Sequence, residues 1–178
     1  MIKENVRKAM NEQIKNELES SYIYLSMAAY FESISLNGMA HWMRTQAHEE
    51  TIHAMKFFDH IIERGGKVEL LDLKQLKTSW TSVEEVWKDT LEHEQFITSK
   101  INGLMKLVRE ENDYAAESML TWFVKEQVEE ESSAGTVLDQ INLVQQSKQG
   151  LLMLDRELGQ RAFPAGSAYD PAAYNAAE

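Results

Sequence analysis

Residues 48–66 read HEETIHAMKFFDHIIERGG. Apolar residues recur in this segment at steps of three and four, which is the spacing of one face of an α-helix, and Gly65-Gly66 ends the pattern. Glu50 and His53 lie three positions apart, so their side chains share that face. The segment predicts a helix that carries a glutamate and a histidine on its core-facing side.

Four segments of similar length show this helical spacing, as a bundle requires. Their predicted limits are Asn5 to Ile34, a second segment ending at Arg64, a third capped by Thr81 or Ser82 and ending near Glu111, and a fourth from Asn112-Asp113 to about Asn142. Asn37-Gly38 is expected to form a left-handed turn after the first helix. Residues 65–82 lack a sustained helical period and are long enough for a crossover, while LLMLDREL (151–158) predicts a short fifth helix. We therefore expect an all-α four-helix bundle.

Composition fits this interpretation. The chain has 178 residues with only eight Gly and two Pro, which suits one compact, helix-rich domain. We place that domain at residues 1–163 and a small-residue, flexible tail at 164–178. The amino terminus has no signal-peptide apolar region, and no apolar stretch approaches the roughly 18 residues of a membrane span, so a cytoplasmic location without a membrane partner is expected.

The charge balance favours cations as ligands. A formal net charge of -11 argues against a nucleic-acid partner, which would need clustered Lys and Arg. The same surplus of acids could be a solubilising surface, so placement has to decide. Because the chain has no cysteine, thiolate metal sites and iron-sulfur clusters are excluded.

The apolar stripe of each long helix is interrupted near its middle by polar residues. These residues are Glu17 in the first helix, Glu50 and His53 in the second, Glu94 in the third, and Gln127 and Glu130 in the fourth. Buried carboxylates need a counter-charge, and no Lys or Arg lies on these stripes. Two divalent cations would balance four carboxylates, with the imidazole and the amide completing the shell. The pattern predicts a dinuclear site; the alternative is a wrong helix phase and a bundle without a site.

The matching stretches NEQIKNELESSYIYLSMAAYF (11–31), HEETIHAMKFFDHIIERGG (48–66), LEHEQFITSKI (91–101) and LTWFVKEQVEEE (120–131) resemble the prokaryotic non-haem ferritins. The resemblance covers about Asn5 to Phe163 and implies a ferritin-like bundle. It implies one iron held by Glu17, Glu50 and His53, and a second held by Glu50, Glu94 and Glu130. Bacterioferritins and rubrerythrins have Glu where this chain has Gln127 and His where it has Glu130, which argues against both relatives. We expect the second site to bind iron more loosely, so that oxidised iron can leave.

Further residues take their expected roles from the same resemblance. Glu49, Glu126 and Glu129 correspond to a third iron site that shares Glu130, although an ordinary acidic helix surface is the alternative. Tyr24 would lie beside the centre, where it would hydrogen-bond a ligand or supply an electron; the alternative is a core tyrosine. Neither a role for the other histidines nor a haem is expected.

The function implied by the resemblance is iron storage and detoxification. Two Fe(II) ions per subunit would be oxidised by dioxygen or hydrogen peroxide, and the ferric product would be stored as mineral inside a homo-24-mer cage. Two alternatives stay open. One is a di-iron oxygenase or peroxidase of the same superfamily, and the other is a non-catalytic helical bundle.

Overall fold

The computed structural model of the protein describes residues 1–74, 76–144 and 147–164. Within these ranges the chain forms five α-helices and no strand. The helices are α1 (Glu4–Ser33), α2 (Asn37–Glu63), α3 (Val83–Glu110), α4 (Tyr114–Val144) and α5 (Lys148–Leu158). α1 pairs with α2 and α3 with α4, while α5 packs on α2 and α4. The predicted bundle with a short fifth helix is confirmed.

The connection between α2 and α3 runs beside α1. Along it, the backbone N–H of Glu69 donates to Asn11 Oδ1 at 2.8 Å, that of Lys74 to Glu19 Oε1 at 2.9 Å, and the carbonyl of Lys77 accepts from Ser26 Oγ at 2.8 Å. Since these partners follow one another along α1, the connection travels from the start of α1 towards its end. This is the predicted crossover, and it makes α2 and α3 run in the same direction.

Three helix ends share one geometry. Ser35 (φ 62°), Gly65 (φ 68°) and Asn112 (φ 53°) adopt left-handed backbone angles directly after α1, α2 and α3. The residue after each one donates its N–H back into the helix, as Leu36 does to the carbonyl of Phe31 at 3.0 Å. The predicted turn at Asn37-Gly38 is therefore wrong: Leu36 is only 6% exposed, and its burial in the core fixes the turn at Ser35.

The third helix begins at one of the two predicted caps. Ser82 Oγ accepts from the N–H of Glu85, whereas the hydroxyl of Thr81 donates to the carboxylate of Glu85. The predicted division between a domain and a tail at residue 164 stays a prediction, because residues 165–178 lie outside the described part of the chain. No helix among the described residues is long and apolar enough to cross a bilayer.

The apolar core has two parts. One contains Tyr24, Phe31, Met43, Trp87 and Ile141, and extends to α5 through Leu154. The other contains Met10, Phe57, Ile61, Leu104 and Phe123. Between the two lie the polar residues that interrupt the helical stripes, so the fold presents one polar layer from all four long helices at mid-height.

Candidate metal centre

The polar layer contains every residue predicted for the dinuclear site. The exposed fractions are 1% for Glu17, 2% for Glu50, 4% for His53, 2% for Glu94, 4% for Gln127 and 7% for Glu130. Each of the four long helices contributes at least one of these side chains. The predicted helix phases are therefore correct at the site, and the alternative that rested on a wrong helix phase is wrong.

Glu17, Glu50 and His53 form a compact cluster between α1 and α2. One ligand atom from each lies within 4.8 Å of the others, and His53 Nδ1 is 3.3 Å from Glu50 Oε2. Gln13 Nε2 donates to Glu17 Oε1 at 2.8 Å, while Glu17 Oε2 is buried without a hydrogen-bond partner. A buried carboxylate oxygen without a donor is costly unless a cation binds it. This cluster fits a metal ion.

The carboxylates of α3 and α4 are held differently. Glu94 accepts from the Tyr24 hydroxyl, and Gln127 Nε2 lies 3.3 Å from Glu94 Oε2. Gln46 Nε2 donates both to Glu130 Oε2 at 2.7 Å and to Glu50 Oε1 at 2.9 Å, which links α4 to α2. Among the described residues, Glu50, Glu94 and Glu130 do not form a group whose ligand atoms all lie within 4.8 Å. Hydrogen-bond donors occupy both oxygens of Glu94 and one oxygen of Glu130, which the second metal would need.

A second compact group lies beside the first. Ligand atoms of His53, Glu126 and Glu130 lie within 4.8 Å of one another. Sequence reasoning predicted each of the three as a ligand but did not group them, because the distance between α2 and α4 cannot be read from spacing along one helix. His53 thus belongs to both groups and links Glu17 and Glu50 to the acids of α4.

Burial and mutual repulsion shift the pKa values of the acids in the polar layer. Burial raises the pKa of Glu17, and the charge of Glu50 raises it further. The same two causes raise the pKa of Glu94 to about 8 and that of Glu130 well above its usual range. Burial also acts to raise the pKa of Glu50, but hydrogen bonds and charge from His53, with the amide of Gln46, hold it below 4.5. Without cations, the layer therefore takes up protons, and divalent cations can replace them.

The donor set suits iron. Carboxylate oxygens and imidazole nitrogen bind Fe(II), and hard carboxylates also suit the ferric ion. The four acids come from four different helices that the apolar clusters hold in place from both sides. The layer can therefore offer its ligand atoms to a cation without assembling mobile loops first.

Comparison with known families gives the same answer. The profile of the ferritin-like domain matches residues 7–144, which span α1 to α4 almost completely. The chain belongs to the ferritin family. The predicted resemblance is confirmed.

Individual relatives cover this ferritin nearly end to end. It is 39% identical to a bacterial non-heme ferritin of Bacteroides fragilis over 90% of this chain and 100% of the relative. It is 34% identical to one of Staphylococcus aureus, over 92% and 98% of the two chains.

Two solved structures of an Archaeoglobus fulgidus ferritin are also similar. An engineered closed form has a TM-score of 0.91 at 42% identity, covering 92% of this chain and 100% of that one. An open-pore form has a TM-score of 0.90 at 42% identity, with coverage of 91% and 100%.

The predicted third set is dispersed in this ferritin. Glu126 joins the group with His53 and Glu130, whereas Glu129 is exposed and Glu49 forms a salt bridge with Arg161. Glu49 and Glu126 still interact electrostatically. Burial raises the pKa of Glu49, and the charge of Glu126 is among the further causes that raise it. The third set therefore stays a prediction.

Sequence reasoning missed four residues around the site of this ferritin. Gln13 and Gln46 donate to ligand carboxylates, and a polar residue four positions from a buried Glu was the available signal. No role was expected for His93, yet its Nε2 lies 2.8 Å from Ser20 Oγ and its ring meets Tyr24 edge-on at 5.9 Å. Arg161 gave no signal, because its partner lies 112 positions away.

Proposed function

We propose that this ferritin stores and detoxifies iron by oxidising Fe(II) at the polar layer and retaining the ferric product. One iron would be bound by Glu17, Glu50 and His53, and the second by Glu50, Glu94 and Glu130, with Gln127 beside it. Glu50 would bridge the two ions. The observation that carries the proposal is the buried cluster of Glu17, Glu50 and His53 within 4.8 Å, with a Glu17 oxygen that lacks a donor.

The chemistry needs two electrons. Each Fe(II) gives up one electron, and dioxygen takes both electrons with two protons to become hydrogen peroxide. Hydrogen peroxide as the oxidant takes both electrons with two protons to become two waters. Carboxylates stabilise the ferric state by electrostatics, while the protein supplies position and charge. Tyr24 touches Glu94 and is placed to hold that ligand or to supply an electron.

The second iron would bind more weakly than the first. Its carboxylates must first give up donors, because Tyr24 and Gln127 hold Glu94 and Gln46 holds Glu130. It also lacks the second imidazole that relatives with persistent di-iron cofactors possess. Weak binding favours release of ferric iron for storage, and Glu49, Glu126 and Glu129 would receive further iron on the flank.

Storage requires a container, and we propose a homo-24-mer cage in the cytoplasm. Family membership supports self-association, and α5 would correspond to the short fifth helix of such shells. The net charge of -11 would suit cation entry and mineral nucleation. Sedimentation of the purified protein tests the subunit number, and cell fractionation tests the location.

Aerobic iron loading tests the function. Fe(II) is added to the full-length protein, ferric absorbance is followed, and the particle is then separated by gel filtration for iron analysis. Rapid oxidation with many irons retained per subunit supports storage. Retention of one iron pair per subunit supports the di-iron oxygenase alternative. Oxidation no faster than in protein-free buffer would contradict the proposal.

A further inference from the structure

The end of α5 is fixed on the start of α2. The N–H of Met39 donates to Asp155 Oδ1 at 2.8 Å, and Asp155 is 9% exposed. A Cβ at Gly38 would lie 1.7 Å from the carbonyl oxygen of Asp155, so the two backbones approach more closely than any side chain allows. From this joint the chain continues beside α2 as residues 159–163, which we call the carboxyl-terminal strap.

Three contacts hold the strap against α2. His41 Nε2 lies 2.7 Å from the Arg161 carbonyl oxygen, and the His41 ring meets Phe163 edge-on at 5.0 Å. The Arg161 guanidinium lies 4.2 Å from the centre of the Trp42 ring, a cation–π contact. The strap thus runs from the first turn of α2 towards its middle, which is where the metal centre lies.

Arg161 ends at the edge of that centre. Its Nη2 forms a salt bridge with Glu49 Oε2, and the two side chains are only 23% and 28% exposed. Its Nη1 is buried without a hydrogen-bond partner. Glu49 precedes the ligand Glu50, and among the described residues Arg161 is the cation paired with it. A monovalent guanidinium therefore occupies a carboxylate whose charge interacts with those of His53, Glu126 and Glu130.

We propose that Arg161 is a tethered counter-ion that competes with iron for Glu49. Binding of a cation at Glu49 and the His53–Glu126–Glu130 group then displaces the guanidinium and frees the strap from α2. The inference rests on the proposed function, because it concerns iron binding at the same layer. It goes further by assigning the carboxyl-terminal strap a part in deciding when the flank of the centre accepts iron.

Substitution of Arg161 tests the competition. In anaerobic calorimetric titrations with Fe(II), Arg161→Gln should raise the affinity of the weaker class of sites about tenfold, the ratio expected for losing a partly buried, charge-assisted competitor. The affinity of the strongest site should not change. Arg156→Gln is the matched control, because Arg156 lies on α5, is exposed and loses the same charge.

Several results would overturn the inference. One is an isotherm for Arg161→Gln that matches Arg156→Gln; another is weaker binding, which would indicate a purely structural salt bridge. Should Arg161→Gln fail to assemble, Arg161→Lys keeps the charge without the fork and should raise the affinity about threefold. Wild-type protein that binds no Fe(II) would sink the proposed function itself, whereas normal binding without a variant effect sinks only the role of Arg161.

Hydrogen exchange gives a second readout that does not depend on activity. Peptides covering residues 159–163 should exchange faster in wild-type protein saturated anaerobically with Fe(II) than in metal-free protein. In Arg161→Gln they should exchange fast with or without iron. A strap that stays equally protected at iron saturation would contradict displacement.

Discussion

The two halves of the polar layer hold their carboxylates in different ways. In the α1–α2 half (Glu17, Glu50 and His53) the ligand atoms already converge within 4.8 Å. In the α3–α4 half (Glu94, Gln127 and Glu130) the oxygens accept from Tyr24, Gln127 and Gln46. The α1–α2 half therefore offers converged ligand atoms and a Glu17 oxygen without a donor, whereas Glu94 in the other half accepts on both oxygens and must exchange those hydrogen bonds for metal bonds. The difference predicts ordered binding, with the α1–α2 half filled first.

The largest expected effect is on the pH dependence of the free energy of unfolding of the metal-free protein. Glu94 has a pKa of about 8, raised by burial and by Glu50 from 4.5. The folded chain then holds a proton that the unfolded chain loses, so the free energy of unfolding falls as pH rises between those values. For Glu94 alone the loss is roughly 3 to 5 kcal/mol. Denaturant unfolding at about pH 5 and about pH 8 measures it.

Variants can show how much of that loss of stability comes from each half of the polar layer. Both carboxylates of the α3–α4 half have raised pKa values, whereas in the other half only the pKa of Glu17 is raised, and that of Glu50 is lowered and affects stability only below 4.5. Glu94→Gln with Glu130→Gln should therefore flatten the pH dependence more than Glu17→Gln. Saturating Zn(II) should remove most of it in wild-type protein. If both variants flattened the pH dependence of stability equally, the difference between the two halves would be disproved.

The next effect concerns the residue that both groups share. His53→Ala removes the imidazole from both compact groups, so the initial rate of Fe(II) oxidation should fall by about 100-fold, the upper end for loss of a residue that orients a metal site. The rate of ferric absorbance measures this. His60→Ala is the control on the same helix. A decrease of less than threefold would show that neither half depends on the histidine.

A smaller effect is expected from making the halves alike. Gln127→Glu with Glu130→His gives the fourth helix the pattern of the persistent di-iron relatives. The iron pair should then bind about tenfold more tightly, a change of about 1.4 kcal/mol, and stay bound, so iron retained per subunit after aerobic loading should fall. Gln127→Glu alone is the control. Unchanged mineral content would disprove the idea that a loose second site permits storage.

The smallest effect is expected at Tyr24. Tyr24→Phe removes the donor to Glu94 and should lower the free energy of unfolding by about 1 kcal/mol, the usual net value of one hydrogen bond. Because the freed carboxylate reaches metal more easily, Fe(II) binding should not weaken. Thermal unfolding and anaerobic titration measure the two quantities, with the exposed Tyr22→Phe as control. Weaker Fe(II) binding would mean that the tyrosine positions the ligand for metal.

Much of this arrangement could be predicted from the sequence, because helical period is a local signal. Steps of three and four along the fourth helix, from Ala116 through Gln127 and Glu130 to Ile141, pick out the residues that are buried in α4. The prediction of the turn after α1 was wrong for a non-local reason. Leu36 enters the core and fixes the left-handed residue at Ser35, while Gly38 serves the contact with α5.

The site was predictable to the extent that buried charge needs a partner. Four acids on apolar stripes without Lys or Arg identified the polar layer and its candidate ligands. The hydrogen bonds that separate its halves were not predictable, since Gln46 reaches Glu130 across 84 positions and Tyr24 reaches Glu94 across 70. Contacts between helices depend on rotation and crossing angle, which spacing along one helix does not fix.

Gly38 is the position at which α2 contacts α5, and the contact tolerates no side chain there. Since Asp155 leaves no room there for even a methyl group, any other residue would push α5 away from α2. Arg161 follows α5 by a few positions, so the guanidinium would leave Glu49 with it. The pairing of Glu49 with Arg161 thus depends on the absence of a side chain at Gly38, about three helical turns away along α2.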